Sequence, residues 1–177
     1  MVDFDYELSL RVTHPTWPSD DICKMLNMTA GRMWTVGEQR TNPVGTFLSG
    51  INKETYCSFP LESPEGMQLA ESLRHWNQQF LLLKDTFNKI HSSGGRIEYF
   101  IGWFCDGNSG EIFNLLLLKE LVELKIELSF DVYGSLIPST RESKKIINNR
   151  KSNTVINKVK VRKIPKSDKR KEKRVCE

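Results

Sequence analysis

The stretch RIEYFIGWF, residues 96–104, decides the fold prediction. Its second, fourth, sixth and eighth residues are large and apolar, and Phe100 and Phe104 fall on the opposite face. Alternation with a period of two is typical of a β-strand. Because both faces carry apolar residues, we expect this strand at the centre of a sheet rather than at its edge.

A long helical pattern precedes this strand. Seven apolar residues recur at alternating spacings of four and three: Leu69, Leu73, Trp76, Phe80, Leu83, Phe87 and Ile90. This spacing places them on one helical face, and the Ser-Ser-Gly-Gly sequence of residues 92–95 ends the helix. The pattern is compatible with one continuous helix lying across the sheet or with two helices kinked near Asn77.

The segment after the strand predicts a further helix and a further strand. Residues 106–110 form a turn cluster of Asp, Gly, Asn and Ser. A helix follows over residues 114–124, with Asn114 as its candidate cap. Residues 126–133, IELSFDVY, alternate again and predict a strand.

The segment before the long helix begins with a second clear strand. Residues 4–12, FDYELSLRV, alternate between apolar and polar side chains. Ser19 is a candidate N-cap for a short helix that places Ile22 and Leu26 on one face. Three strand pieces are predicted after it: Arg32–Val36, Thr46–Ile51 and Thr55–Phe59.

The resulting element order predicts an α+β fold. We expect a mostly antiparallel sheet with helices packed on one face, in a ferredoxin-like element order with an added helix–strand unit. The expected core packs four helix residues against four sheet residues. The helix residues are Leu73, Phe80, Leu83 and Phe87, and the sheet residues are Leu8, Leu10, Ile101 and Phe130.

Charge divides the chain into an acidic body and a basic tail. Residues 141–177 hold 15 basic and 4 acidic residues, a net charge of +11, which leaves 11 basic and 18 acidic residues, a net charge of −7, in residues 1–140. Apolar residues become rare after Pro138. We therefore predict an acidic α+β domain, residues 1–138, and a basic tail, residues 139–177, that is disordered apart from a candidate edge strand at Thr154–Ile164.

Composition excludes several classes of protein. The body is too rich in apolar and aromatic residues for a wholly disordered chain, and its net negative charge excludes a uniformly basic nucleic-acid-binding domain. No apolar run approaches the roughly 18 residues that a spanning helix needs. Residues 1–6 lack the basic flank and apolar stretch of a secretory signal, so we expect a cytoplasmic protein with no membrane partner.

The sequence holds no recognisable metal or cofactor motif. The four cysteines form no CxxC pair, and we expect free thiols: Cys23, Cys57, Cys105 and Cys176. No HExxH sequence, His/Cys cluster or phosphate-binding glycine motif is present. We therefore predict no catalytic residue, no cofactor and no bound metal.

Five residues are candidates for binding a partner protein: Trp17, Trp34, Asp106, Asp131 and Tyr133. The two tryptophans lie in loop-like sequence, where each is either an exposed anchor or part of the core. The two aspartates lie beside the last strands, where surface carboxylates are commoner than catalytic pairs. Nine tail residues are candidates for binding nucleic acid: Lys158, Lys160, Arg162, Lys163, Lys169, Arg170, Lys171, Lys173 and Arg174.

Three segments resemble a bacterial family: SDDICKMLNM in the short helix, MWTVG after it, and the closing ELKIELSFDVYG. Over residues 4–134 the chain resembles the bacterial domain-of-unknown-function family 4279. The matching positions are Ile22, Leu26, Trp34, Gly37, Leu124, Asp131 and Tyr133. The chain departs from the family in having no proline in Asn27–Arg32. The resemblance implies no established chemistry, but it implies association with toxin-immunity or similar conflict loci.

Two functions of different classes follow. The first is a non-enzymatic protein-binding module, an immunity-type inhibitor of a toxin or effector, whose acidic body attracts a basic partner and imitates a phosphate backbone. The alternative is a nucleic-acid- or ribosome-associated protein that acts through the basic tail. A small enzyme built on Asp131 or Asp106 is a third, less favoured interpretation.

Overall fold

The computed structural model describes residues 4–105 and 107–134. These residues belong to one unit, which spans Met1–Leu136. Asp106 and the predicted basic tail, residues 139–177, lie outside the described residues, and so do the candidate strand at Thr154–Ile164 and the nine basic candidates. Among the helices of the described ranges, none is long and apolar enough to cross a membrane.

Two sheets organise the described residues. Their strands are β1 (Phe4–His14), β2 (Arg32–Trp34), β3 (Gln39–Thr41), β4 (Phe47–Ile51), β5 (Thr55–Pro60), β6 (Arg96–Cys105) and β7 (Glu127–Gly134). Five strands form the main sheet in the order β2–β5–β1–β6–β7, and β3 pairs with β4 in a separate small sheet. The strand predicted over residues 96–104 is β6, which lies between β1 and β7 as expected.

The main sheet contains two interleaved β-α-β units. β5 pairs antiparallel with β1 and β2, and β1 pairs antiparallel with β5 and β6. β1 and β2 therefore run parallel with β5 between them, and β5 and β6 run parallel with β1 between them. This split arrangement confirms the ferredoxin-like order. The added unit is α4 with β7, and β7 pairs parallel with β6.

Four α-helices accompany the sheet in the described part of the chain. They are α1 (Ser19–Leu26), α2 (Leu69–Phe80), α3 (Lys84–Ser92) and α4 (Leu115–Leu124). A 3₁₀ turn, Leu81–Leu83, separates α2 from α3. The alternative of two helices is therefore confirmed, but the break falls after Phe80 and not near Asn77. The Asn77 side chain bonds to other elements and so does not compete with the helix backbone.

Of the two predicted helix caps, the one at Asn114 is confirmed and the one at Ser19 is wrong. Asn114 caps α4 as predicted, because its side chain accepts a hydrogen bond from the backbone N–H of Leu117 at 3.0 Å. Ser19 is not the cap of α1, because extended Pro18 holds that position. The backbone N–H of Ser19 instead donates to the hydroxyl of Thr35 at 3.1 Å, so a distant residue satisfies a free donor of the helix end.

The core lies between one face of the main sheet and the helices. Six of the eight expected core residues, among them Leu10, Leu73 and Phe87, are buried. Leu83 is only half-buried, at the 3₁₀ turn. Phe130 is 42% exposed, which contradicts the expectation, because β7 is the last strand and has a neighbour on one side only.

Candidate functional site

The open face of the main sheet is the face opposite the helices. In β1 the residues that alternate with buried Leu8 and Leu10 point to this open face, and they include Glu7, Ser9 and Arg11. The strand register places Ser9 beside Phe100 and Glu7 beside Gly102 on β6. The open face is therefore polar on β1 and apolar on β6.

A groove of about 840 Å³ lies between the open face and the loop of residues 61–68. Two hydrogen bonds hold this loop against β1. The backbone N–H of Leu61 donates to the carbonyl of Leu8 at 2.9 Å, and the Tyr6 hydroxyl donates to the carbonyl of Met67 at 2.9 Å. These bonds fix the loop as one wall of the groove.

The floor of the groove is aromatic and kept open by a glycine. Phe104 of β6 and Tyr133 of β7 stack with ring centroids 4.9 Å apart and an interplanar angle of 11°. Gly102 lies between Glu7 and Phe104, and a Cβ atom there would approach the Phe104 ring to 3.3 Å. A side chain at this position would fill the space above the rings.

The rim of the groove is acidic. Four carboxylates line the groove, those of Asp5, Glu7, Glu62 and Glu65, and all four residues are exposed. The one basic residue lining it is Arg11. Its guanidinium carbon lies 3.1 Å from the Phe100 ring centroid, and its Nη1 lies 3.9 Å from Glu98 Oε1. Because four carboxylates line the groove against one guanidinium, the described lining carries a net negative charge.

Asp131 and Tyr133 lie together beside this groove. The Tyr133 hydroxyl donates a hydrogen bond to Asp131 Oδ2 at 2.5 Å, and this bond raises the pKa of Tyr133. The register places Asp131 opposite Gly102, so its carboxylate stands next to the aromatic floor. The two residues therefore add a further carboxylate and an aromatic face at the β7 side of the groove.

Trp34 lies at the other end of the open face. It stacks on Tyr56 with centroids 4.3 Å apart, and its Nε1–H donates to the carbonyl of Glu54 at 3.1 Å. Trp34 therefore lies on the open face and not in the core, and its role as an exposed anchor for a partner stays a prediction. β2 and β7 are four strand spacings apart, roughly 19 Å across the sheet. The register also places Trp34 level with Arg96, at the opposite end of β6 from Phe104 and Tyr133, so Trp34 and Tyr133 lie far apart along the strands as well.

Trp17 is part of a different cluster, which surrounds buried His14. The two rings stack with centroids 4.3 Å apart, and the Trp17 carbonyl accepts a hydrogen bond from Thr55 Oγ1 at 2.6 Å. Trp17 therefore does not line the groove. Asp106, the fifth candidate, lies outside the described residues.

The pair formed by His14 and Ser93 resembles a base and a nucleophile, with Nε2 and Oγ 2.9 Å apart. His14 Nδ1 accepts hydrogen bonds from the backbone N–H groups of Thr16 and Trp17, so these bonds assign the ring proton to Nε2. Nε2–H then donates to Ser93 Oγ and cannot take its proton. Burial lowers the pKa of His14, which favours this neutral form. The pair is structural.

Three cysteines and most of the acidic residues of the body lie in the part of the chain that the structure describes. Cys23, Cys57 and Cys105 are free thiols, and burial, together with Cys23, raises the pKa of Cys57 to about 12. Within residues 4–105 and 107–134, no three His, Cys, Asp or Glu side chains come close enough to hold a metal ion.

Sequence reasoning missed most of the groove. The alternation of FDYELSLRV places Asp5, Glu7 and Arg11 on one face, and this signal was available. Nothing in the sequence indicated that the loop of residues 61–68 would bring Glu62 and Glu65 over the same face.

Comparisons of the chain with models of protein families, with curated protein sequences and with solved structures give no match. The resemblance to family 4279 stays a prediction. Any functional proposal therefore rests on the geometry of the described residues.

Proposed function

We propose that this chain is a non-enzymatic protein-binding module whose acidic groove binds a lysine- and arginine-rich segment of another protein. The observation that carries the proposal is the composition of the groove lining, which has four carboxylates, one engaged guanidinium and an aromatic floor. Carboxylates pair with ammonium and guanidinium groups, and aromatic faces attract the same cations. The acidic rim and the aromatic floor of the groove thus both favour a cationic side chain.

An immunity-type role is the finer form of this proposal. A toxin or effector that acts on nucleic acid has a basic active site, and an acidic surface steers towards such a site and competes with phosphate. The net charge of −7 in residues 1–140 and the resemblance to family 4279 both support this role.

Charge reversal on the rim tests the proposal. The variant Glu62→Lys/Glu65→Lys changes two exposed loop residues of the groove. The control Glu54→Lys/Glu123→Lys makes the same change in net charge at two exposed positions that do not line the groove. The probe is a fluorescent peptide of alternating Lys, Arg and Gly, measured by anisotropy with full-length protein at low salt.

The expected result is a loss of affinity of about tenfold or more in the rim variant, with the control within about threefold of the unchanged protein. Affinity should also fall as salt is added, because exposed charges are screened. Equal losses in the two variants would mean that only net charge matters. If the unchanged protein did not bind the peptide, the groove would not be a binding site for basic peptides.

Nucleic-acid binding is the second candidate function, favoured by the net charge of +11 in residues 141–177. The acidic groove repels phosphates, so such binding would depend on the basic tail. Substituting Gln at five positions tests this: Lys169, Arg170, Lys171, Lys173 and Arg174. The slope of log affinity against log salt on duplex DNA should become shallower by roughly 4. An unchanged slope would exclude these residues as phosphate contacts.

A further inference from the structure

Among the described residues, β7 forms a long edge of the main sheet with no strand on its outer side. β7 pairs with β6 on one side, and no described strand pairs with its other side. It has eight residues, with neither lysine nor proline among them. Proteins usually protect exposed edges with lysine, proline, a bulge or a very short strand, and β2 at the opposite edge has only three residues. Within the described part of the chain, β7 is eight residues long and has no lysine, proline or bulge, and its charged residues are Glu127 and Asp131.

An apolar helix flank lies at the same end of the molecule. On one flank α4 faces α2, since Glu120 approaches Arg74 Nε to 3.7 Å. On the other flank Leu115, Leu118 and Val122 recur at spacings of three and four, and they are 85%, 40% and 75% exposed. This flank points away from α2, towards the outer end of the helix layer.

The core face of β7 continues this apolar surface. Phe130 and Val132 are 42% and 62% exposed. The Phe130 ring lies 5.9 Å from that of Phe113, just before α4, and 6.2 Å from that of Trp103. We define the β7 end surface as Ile112, Leu115, Leu118, Val122, Phe130 and Val132.

The size of the β7 end surface matches a protein interface. At roughly 70 Å² of exposed apolar area for each of its six side chains, it offers about 400 Å². A standard interface buries about 800 Å² per partner, and about 57% of that area is apolar. The surface therefore supplies the apolar part of one interface.

We propose that the β7 end surface binds a second copy of this chain. The two β7 strands pair antiparallel across a two-fold axis, which joins the two main sheets into one, and the exposed flank of α4 packs against the same flank in the second copy. A two-fold contact requires that one surface complement itself. The β7 end surface meets this condition, because it offers both an open strand edge and an uncovered helix flank.

The charges of β7 select one register. Residues directly opposite each other in antiparallel strands share a face, and like charges in that position are destabilising. With Phe130 opposite Phe130 of the second copy, Ser129 faces Asp131 and Glu127 faces Tyr133. Moving the axis by one residue places Asp131 opposite either Asp131 or Glu127 of the second copy. The register centred on Phe130 is therefore the one expected.

Molar mass in solution tests the proposal. Sedimentation equilibrium of the full chain at about 100 µM should give twice the 20.5 kDa of one chain. Phe130→Lys places two ammonium groups beside the axis, and we expect it to weaken dimerisation by about 100-fold. Val122→Lys on α4 tests the helix contact independently, at a position exposed enough for the substitution to leave the fold intact. Phe47→Lys on β4 is the matched control, because Phe47 is 74% exposed and belongs to the separate small sheet of β3 and β4.

Supporting results are a dimer that both the Phe130 and the Val122 variants weaken and that the control leaves unchanged. A monomer at this concentration would overturn the proposal. A dimer that neither variant weakens, or that the control weakens equally, would place the contact elsewhere and overturn it as well. Circular dichroism of each variant shows that the fold is retained, and if Phe130→Lys does not fold, the Val122 variant decides.

Discussion

Replacing Tyr99 by Phe should lower the free energy of unfolding by about 1–3 kcal/mol, although it removes only one oxygen atom. The Tyr99 hydroxyl donates to Asn77 Oδ1 at 2.9 Å, and both residues are buried in an otherwise apolar core. Asn77 Nδ2 donates in turn to Glu120 Oε2 at 3.2 Å. Burial, with Glu120 nearby, raises the pKa of Tyr99 well above its ordinary value, so the hydroxyl stays protonated and remains a donor.

The size of the stability loss follows from Asn77 Oδ1, which Tyr99→Phe leaves buried without its donor. A typical hydrogen bond contributes about 1 kcal/mol net, but a buried acceptor without a partner adds a desolvation cost of about 1–3 kcal/mol. Asn77→Leu should cost a similar amount, because it leaves the Tyr99 hydroxyl unpaired. The double variant, Tyr99→Phe with Asn77→Leu, leaves neither partner unpaired and should cost less than the two single losses together.

Urea unfolding followed by circular dichroism measures these losses. Tyr133→Phe is the matched control, because it removes an exposed tyrosine hydroxyl bonded to Asp131, and we expect it to change stability by less than about 0.5 kcal/mol. A Tyr99→Phe loss as small as that of the control, or a double variant whose loss equals the sum of the single losses, would refute the reasoning.

Three further predictions concern the same core. Phe80→Ala and Phe87→Ala should each lower the free energy of unfolding by about 3–5 kcal/mol in urea titrations, and losses below about 1 kcal/mol would mean that this helix face is not buried. Burial depresses the pKa of His14, so the unfolded chain binds the proton first as pH falls below about 6.5. The melting temperature should therefore decrease from pH 7 to 5.5, and His14→Gln should flatten this decrease. Gly95→Ala should cost about 1–3 kcal/mol, because its Cβ would lie 2.6 Å from Ile90 Cγ2 and 2.7 Å from His14 Cδ2, whereas unchanged stability would show that these groups move freely.

The sequence predicted the elements whose signals are local. Alternation located β1 and β6, and the Asn114 cap predicted the start of α4, because these patterns depend on neighbouring residues. The small sheet of β3 and β4 was only partly predicted. All of its residues are exposed, so no buried face imposes a period on its sequence.

Other features depend on contacts between distant residues and could not be predicted. The role of Asn77 requires Tyr99 and Glu120, which lie 22 and 43 residues away in the sequence. The apolar stripe of the long helix gave no indication of this polar contact. The exposure of Phe130 likewise depends on the strand order, because the residue pattern of β7 is the same at an edge as at the centre of a sheet. The groove could not be predicted for the same reason, because the open face of the sheet and the loop of residues 61–68 are separate segments of the chain.

The position of β1 in the sheet has a consequence for the order in which the protein folds during synthesis. β1 is made well before both of its neighbours in the sheet, since His14 pairs with Thr55 and Phe4 pairs with Cys105. Contacts of such long sequence separation slow folding, because a long loop must close before they form. Until residues 96–105 leave the ribosome, the central strand of the sheet keeps an unpaired edge and an uncovered apolar face. A nascent chain that ends before Arg96 should therefore bind chaperones or aggregate, whereas one that extends past Gly134 has all five described strands of the main sheet.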